Sequence, residues 1–194
     1  MIQVPFYPED PHLTNEMYVP KFEIAERLKP RSIIEIGVRC GYSAWCFLKA
    51  SPGARYVGID ADNGTHGGQR GPWMWRAPKL LRELTDDFML IQSDMADLKR
   101  IYMGIPFDMG HVDGDHTYAA AINDISLLMT MCQVVVVDDT ESTDDVKRAV
   151  EHIMEKPTNA VGDKLYFTCE WDKRGQGQAV ITNTPESCFP SRRL

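Results

Sequence analysis

The chain has 194 residues, 43% of them apolar and 25% charged, a balance that excludes a disordered chain and fits one compact domain. The net charge of −7 and the lack of a basic stripe exclude a nucleic-acid backbone as the main partner. No apolar run is long enough to span a bilayer, and the start, MIQVPFYPEDPHL, has neither the basic nor the apolar region of a leader, so a cytoplasmic protein without a membrane partner is expected. The five cysteines are odd in number and form no CxxC, which predicts buried small apolar groups rather than a disulfide frame or a thiolate zinc site.

Residues 1–20 carry Pro5, Pro8, Pro11 and Pro20 and read as an irregular arm ahead of a single domain over 21–194. KFEIAERLK (21–29) puts Phe22, Ile24, Ala25 and Leu28 near one helical face and stops at Pro30. A regular rhythm follows. SIIEIG (32–37) predicts a strand, GYSAWCFLKAS a helix opened by glycine, and RYVGID (55–60) a second strand ending in an acid. The Gly-rich stretch Ala61–Gly71 reads as a loop or lid and leads to a helix around Trp73–Leu84. FMLIQSD (88–94) predicts a third strand, MADLKRIY a short helix, FDMGHVDG (107–114) a fourth strand and YAAAINDISLLMTM a strong helix. QVVVVDD (133–139) is the most apolar strand, and STDDVKRAVEHIME an amphipathic helix with Ser142 and Asp145 spaced as a capping box.

Strands alternating with helices imply a parallel sheet covered on both faces, and a run such as VVVV fits burial on both sides. KLYFTCEW and QAVITNT break the rhythm. Only DKRGQG separates them, too short for a parallel crossover, so they form an antiparallel pair. The expected fold is α/β: a Rossmann-like doubly wound sheet of five parallel strands extended by a C-terminal antiparallel hairpin.

Glu35-Ile-Gly37-Val-Arg-Cys-Gly41-Tyr-Ser43 joins the first strand to the first crossover helix. Gly37 permits a tight turn, and Gly41 lets a ligand approach the backbone at the helix N-terminus. Asp60, ending the second strand, is placed to accept from two ribose hydroxyls, and Asp94, ending the third, to reach an adenine amino group. A tight turn with a solvated acid and a dinucleotide dehydrogenase fit the same residues. The Gly-x-x-x-Gly spacing offers less bare backbone than a pyrophosphate needs, and Glu35 suits a cationic methionyl end, so S-adenosylmethionine is favoured.

Asp113-Gly-Asp115-His116-Thr-Tyr118 and Asp138-Asp139-Thr140 both lie where a strand reaches its carboxyl end. On adjacent strands ~4.8 Å apart their acids converge, and like charges at 4 Å repel by ~4 kcal/mol at an effective dielectric of 20. Asp113, Asp138 and Asp139 together therefore call for a cation, a shared proton or strong donors, and an all-oxygen set suits Mg²⁺ or another hard divalent ion. His116 is placed to take a proton from a substrate hydroxyl, with His111 a second candidate. Asp115 also reads as a helix cap.

E-I-G-V-x-x-G-Y-S, Y-V-G-I-D, H-V-D-G-D-H-T-Y and V-V-D-D-T resemble the class I S-adenosylmethionine-dependent methyltransferases over residues 30–140. The branch they are most similar to is the small O-methyltransferases with a V-D-G-x-H-x-Y signature, related to metal-dependent macrolide-sugar O-methyltransferases and cephalosporin hydroxylase. The resemblance implies that Glu35, Gly37, Gly41 and Ser43 cradle the methionyl part, that Asp60 holds the ribose and that Asp94 faces adenine. It also implies that Asp113, Asp138 and Asp139 bind the metal, Asp138 standing where an E-D-T pair has Glu, and that His116 is the general base. Arg39 replaces a glycine common in other branches. The implied reaction is methyl transfer to a hydroxyl of a small acceptor. The alternatives are a non-catalytic cofactor-binding relative and a metal-dependent enzyme of the same fold with different chemistry. Trp73 and Trp75 are placed to stack on an acceptor ring. The arm, the Gly-rich loop or a second copy of the chain in a homo-oligomer has to close the site.

Overall fold

A computed structural model describes residues 2–62, 74–93, 106–155 and 167–183. The strands are β1 (Ser32–Ile36), β2 (Arg55–Asp60), β3 (Phe88–Gln92), β4 (Phe107–Val112), β5 (Cys132–Val137), β6 (Phe167–Asp172) and β7 (Gln178–Asn183). The helices are α1 (Asn15–Leu28), α2 (Tyr42–Ala50), α3 (Ala77–Leu81), α4 (Tyr118–Met129) and α5 (Asp144–Glu155), with a 3₁₀ turn over Met74–Arg76.

The seven strands form one sheet in the order β3-β2-β1-β4-β5-β7-β6. β1 to β5 are parallel, and β7 enters antiparallel between β5 and β6. The five parallel strands and the terminal hairpin follow the pattern expected from the sequence. The strand order reverses between β1 and β4, the position where open α/β sheets form a ligand crevice at the carboxyl ends of their strands.

Each apolar strand feeds two cores. Ile33, Tyr56, Met109, Val134 and Val136 pack with Ile24, Ala25, Phe47 and Leu81 on one face. Ile34, Val57, Val112, Val135 and Val137 pack with Ile125, Leu128, Val146 and Val150 on the other. This period of two explains why the valine run is continuous: both of its sides are buried. On α5, Val146, Ala149, Val150 and Ile153 form the buried stripe of an amphipathic helix.

Three local expectations are corrected. The first helix begins at Asn15, so Pro20 lies inside it rather than in an arm. It ends where Lys29 turns left-handed (φ 49°) and donates its N–H to the Ala25 carbonyl. Ser142 and Asp145 form no capping box: the Ser142 hydroxyl donates to Asp139 Oδ1 at 2.5 Å, and Asp145 Oδ2 accepts the Tyr118 N–H at 3.3 Å. The helix after β4 starts at Tyr118 as its apolar pattern predicts, but its N-cap is Thr117 and not Asp115, which leaves His116 in the loop before it. Asp115 serves this turn by accepting the Thr117 N–H at 3.0 Å.

The N-terminal segment is packed as well as irregular. Val4 and Leu13 join Tyr18, Cys40, Tyr42 and Trp45 in a third apolar cluster. Beneath it Asp10, 1% exposed, accepts the Tyr42 hydroxyl at 2.7 Å, and the same hydroxyl accepts the Tyr7 N–H at 2.9 Å. No helix among the described residues is long and apolar enough to cross a membrane.

Candidate active site

The loop between β1 and α2 is a left-handed turn. Gly37, Arg39 and Gly41 have φ of 88°, 47° and 84°. Arg39 adopts a conformation that favours glycine, and its surroundings hold it there. Asp60 Oδ2 accepts the N–H groups of Val38 and Arg39, each at 2.7 Å, and the Arg39 guanidinium reaches Asp10 Oδ1 at 3.3 Å. Asp60 Oδ1 accepts the Asp62 N–H at 2.6 Å. Asp60 thus fixes the loop while remaining partly exposed at the tip of β2, where Oδ2 is filled by two N–H groups and Oδ1 keeps one lone pair for a hydroxyl donor. Gly37, Asp60, Ser93 and Asp113 are partly exposed at neighbouring strand ends, next to the switch in strand order. Ser43 lies in the first turn of α2 and is buried. Asp94, Trp73 and 63–71 of the Gly-rich loop lie outside the described residues, as does the expected helix over 95–102. Trp75 is 68% exposed, and the Arg76 guanidinium lies 5.3 Å from the centre of its ring.

Glu35 turns inward. It is fully buried, bonded to the Tyr56 hydroxyl and, at 2.8 Å, to His111 Nδ1. The register explains the pairing, since Glu35 and His111 sit opposite each other on β1 and β4. His111 also lies edge-on to Phe47, with ring centroids 4.8 Å apart. Burial disfavours its cation, but the Glu35 bond outweighs that and raises its pKa. His111 is completely buried, whereas His116 is about one-third exposed, which makes His116 the better base candidate.

Asp113, Asp138 and Asp139 do converge, in two layers. In the outer layer His116 Nε2 lies 3.0 Å from Asp139 Oδ2 and 3.6 Å from Asp113 Oδ1. Asp113 first, against burial, and then Asp139 hold the imidazole proton and push its pKa up to about 9. Burial first and the Asp138 charge second push Asp113 up to about 7. Asp139 is raised for the same two reasons.

The inner layer centres on Asp138. Its Oδ2 is ion-paired with the Lys21 ammonium, and its Oδ1 accepts the Gln178 amide at 2.9 Å. The Lys21, Asp138 and Gln178 residues are exposed by 1%, 2% and 0%. Burial alone would raise the Asp138 pKa, but Lys21, His111 and Gln178 outweigh it and hold the carboxyl below its usual range. Burial likewise opposes the Lys21 charge, and Asp138 followed by Asp113 restores it. Nothing in the motif reading pointed to Lys21. The available signal was its place on the buried stripe of α1, with Tyr18, Ile24 and Ala25.

This layering bears on the expected metal. A divalent ion shared by three acids needs a lone pair from each, and those left on Asp138 lie against the buried Lys21 ammonium, whose charge repels the ion. Asp113, Asp138 and Asp139 therefore do not fit one shared ion. Two other groupings have donor atoms within 4.8 Å of one another: Asp113, His116 and Asp139, and His111, Asp113 and Asp138. The second includes the engaged Asp138.

A family model described as a methyltransferase domain matches residues 34–140, more than half of the chain. The chain belongs to that family and is a methyltransferase. No curated protein matches the sequence. Its fold is shared with solved structures. One is the O-methyltransferase from Bacillus cereus in complex with SAH, at 15% identity and a TM-score of 0.64, covering 89% of this chain and 82% of that one. Another is TomG from Streptomyces achromogenes, an O-methyltransferase of tomaymycin synthesis in complex with SAM, at 18% identity and 0.65, covering 89% and 82%. A third is a putative caffeoyl-CoA O-methyltransferase from Staphylococcus aureus, at 14% identity and 0.66, covering 93% and 86%. At these identities the likeness is one of fold.

Proposed function

We propose that the protein transfers a methyl group from S-adenosylmethionine to a hydroxyl of a small acceptor. The observation that carries this reading is the position of His116, held between Asp139 and Asp113, whose own backbone packs on Gly37 of the left-handed loop. The bound cofactor supplies an electrophilic methyl on its sulfonium. The chain's residues have the complementary tasks. Asp60 accepts from a ribose hydroxyl through Oδ1 while its other contacts keep the loop in shape. Gly37, Gly41 and Ser43 act by shaping the loop that borders the methionyl part, the two glycines being packed against Asp113 and Ala77, and Asp94, outside the described residues, is the expected adenine partner. Glu35 acts from behind the loop, through Tyr56 and His111.

His116 in its neutral form takes the proton of the acceptor hydroxyl. Asp113 and Asp139 stabilise the resulting imidazolium and fix the ring's direction. Most of the remaining rate comes from aligning acceptor oxygen and methyl carbon for in-line displacement. A divalent ion, the competing source of hydroxyl acidification, would have to sit on Asp113, Asp139 and His116, since Asp138 is engaged.

The experiment is calorimetry with S-adenosylhomocysteine, followed by methyl transfer to a panel of small hydroxylated compounds. Saturable binding abolished by Asp60→Ala, with transfer to at least one hydroxyl, is expected. Binding of NAD in place of S-adenosylhomocysteine would overturn the reading.

A further inference from the structure

We propose that Lys21 is the resident cation of the acidic centre, so that methyl transfer needs no divalent metal. The proposal rests on the methyltransferase reading and concerns the same centre. Three acids meet at the tips of β4 and β5, and such a cluster has to be neutralised. Lys21 does this from inside the fold. It reaches Asp138 from α1, a helix outside the sheet, and is 1% exposed. Its ammonium also lies 4.9 Å from the centre of the Tyr18 ring, so it is held by an aromatic face as well as by a carboxylate. Gln178, from β7, completes Asp138 on its other oxygen.

α1 is anchored in this position by two further ion pairs to the terminal hairpin. Arg27 meets Glu170 at 2.8 Å, and Glu23 meets Arg174 at 2.7 Å. The hairpin turn in its turn holds the acidic loop, because the Gly177 and Gln176 carbonyls accept the N–H groups of Thr140 and Glu141 at 3.2 and 3.0 Å. Lys21 is therefore built into the centre, not draped over it. A divalent ion bound to Asp138 would have to displace a buried ammonium that has no other carboxylate in hydrogen-bond contact among the described residues, or would meet its charge at close range. On this account the outer acids work with His116 alone, and Lys21 is a positioning residue: it keeps Asp138 ionised and still, which fixes Asp139 next to it.

The test compares wild type with Lys21→Met and with Lys21→Met/Asp138→Asn, the second removing the whole buried pair so that no unpaired charge remains. Two readouts are taken: Mn²⁺ binding by electron paramagnetic resonance, and methyl transfer with Mg²⁺ or with chelator. In wild type, transfer should be equal with Mg²⁺ and chelator, and Mn²⁺ should show no saturable site. Lys21→Met should gain Mn²⁺ affinity by about tenfold or more as the repelling charge is removed, and the double variant should lose that gain while remaining folded. Saturable Mn²⁺ binding to wild type with chelator-sensitive transfer would overturn the proposal. So would a folded Lys21→Met protein that binds Mn²⁺ no better than wild type. If no acceptor is methylated under any condition the functional reading fails, while the Mn²⁺ measurements still decide the role of Lys21.

Discussion

Gly37 packs so closely against Asp113 that a Cβ placed on it would lie 1.9 Å from the Asp113 carbonyl oxygen. The glycine loop of β1 and the acidic tip of β4 are thus one packed unit, which ties the cofactor side of the centre to the chemical side. Gly37→Ala has two costs: a backbone at φ 88° that disfavours a side chain, and a collision with backbone that cannot rotate away. Gly53 provides the control. Its φ is 83°, but nothing lies within 4 Å of its added Cβ. Gly53→Ala should cost about 1 kcal/mol, whereas Gly37→Ala should cost several-fold more or prevent folding. Urea unfolding of both variants checks the difference, and equal losses would show that the Gly37 contact is not rigid.

The N-terminal segment backs the same loop from the other side. The Tyr42 hydroxyl bridges the Tyr7 N–H and the buried Asp10 carboxylate, and Asp10 also meets Arg39. Tyr42→Phe removes one donor from a carboxylate that is 1% exposed. A loss of about 1–3 kcal/mol is expected, with weaker S-adenosylhomocysteine affinity, because Arg39 sits in the loop itself. Calorimetry and unfolding on the same variant read both effects. A fall in stability with unchanged affinity would confine the segment to a structural role.

The rate should climb with pH. His116 is held protonated up to about 9, and a base acts only in its neutral form, so kcat/KM should rise toward an apparent pKa near that value. His116→Gln should lower the rate by ~10²–10⁴-fold and flatten the profile. Asp113→Asn removes the larger of the two acids holding the proton, and should shift the rising limb to lower pH. Stability runs in the opposite sense. The raised His116 pKa stabilises the fold fully below its unfolded value of ~6.5, and that contribution is lost as pH rises through about 9. A rate profile unchanged in Asp113→Asn would detach Asp113 from the base.

The strands, the terminal hairpin and the turn from Gly37 to Gly41 were legible in the chain, because each is written in local periodicity or local turn chemistry, whereas the helix expected around Trp73–Leu84 is reduced to the 3₁₀ turn Met74–Arg76 and α3 (Ala77–Leu81). The convergence of Asp113, Asp138 and Asp139 was legible too, because strand ends collect at one edge of a parallel sheet. The partners of Asp138 were not. Lys21, Asp138 and Gln178 belong to α1, the end of β5 and β7, and no spacing rule links positions 21, 138 and 178. The inward turn of Glu35 was hidden for a similar reason: its partner His111 is set by strand register, with Tyr56 added from β2. Pro20 misled the reading of α1 because a proline breaks a helix by propensity, while here the packing of Tyr18, Ile24 and Ala25 carries the helix past it.

Asp124 is a second polar residue on an apolar stripe, this time on α4, whose buried positions are Ala121, Asp124, Ile125, Leu128 and Met129. It is 1% exposed, and neither carboxylate oxygen has a hydrogen-bond partner among the described residues. Burial first and the Asp115 charge second push its pKa up to about 7. A raised acid pKa means that the folded state keeps the proton longer than the unfolded one. The penalty is therefore absent at pH 4, grows as pH rises toward 7, and is fully present above it. A displacement of about three units corresponds to ~4 kcal/mol at most, so Asp124→Asn, which removes the charge and keeps the shape, should stabilise the protein at pH 8 by about 2–4 kcal/mol. At ~2–4 °C per kcal/mol for a chain of this size, Tm should rise by roughly 4–16 °C at pH 8 and hardly change at pH 4. Thermal unfolding at the two pH values separates this from a packing effect, which would be equal at both. A lower Tm at pH 8 would mean that the ionised carboxylate has a favourable role in the fold, and the burial argument for Asp124 would be abandoned.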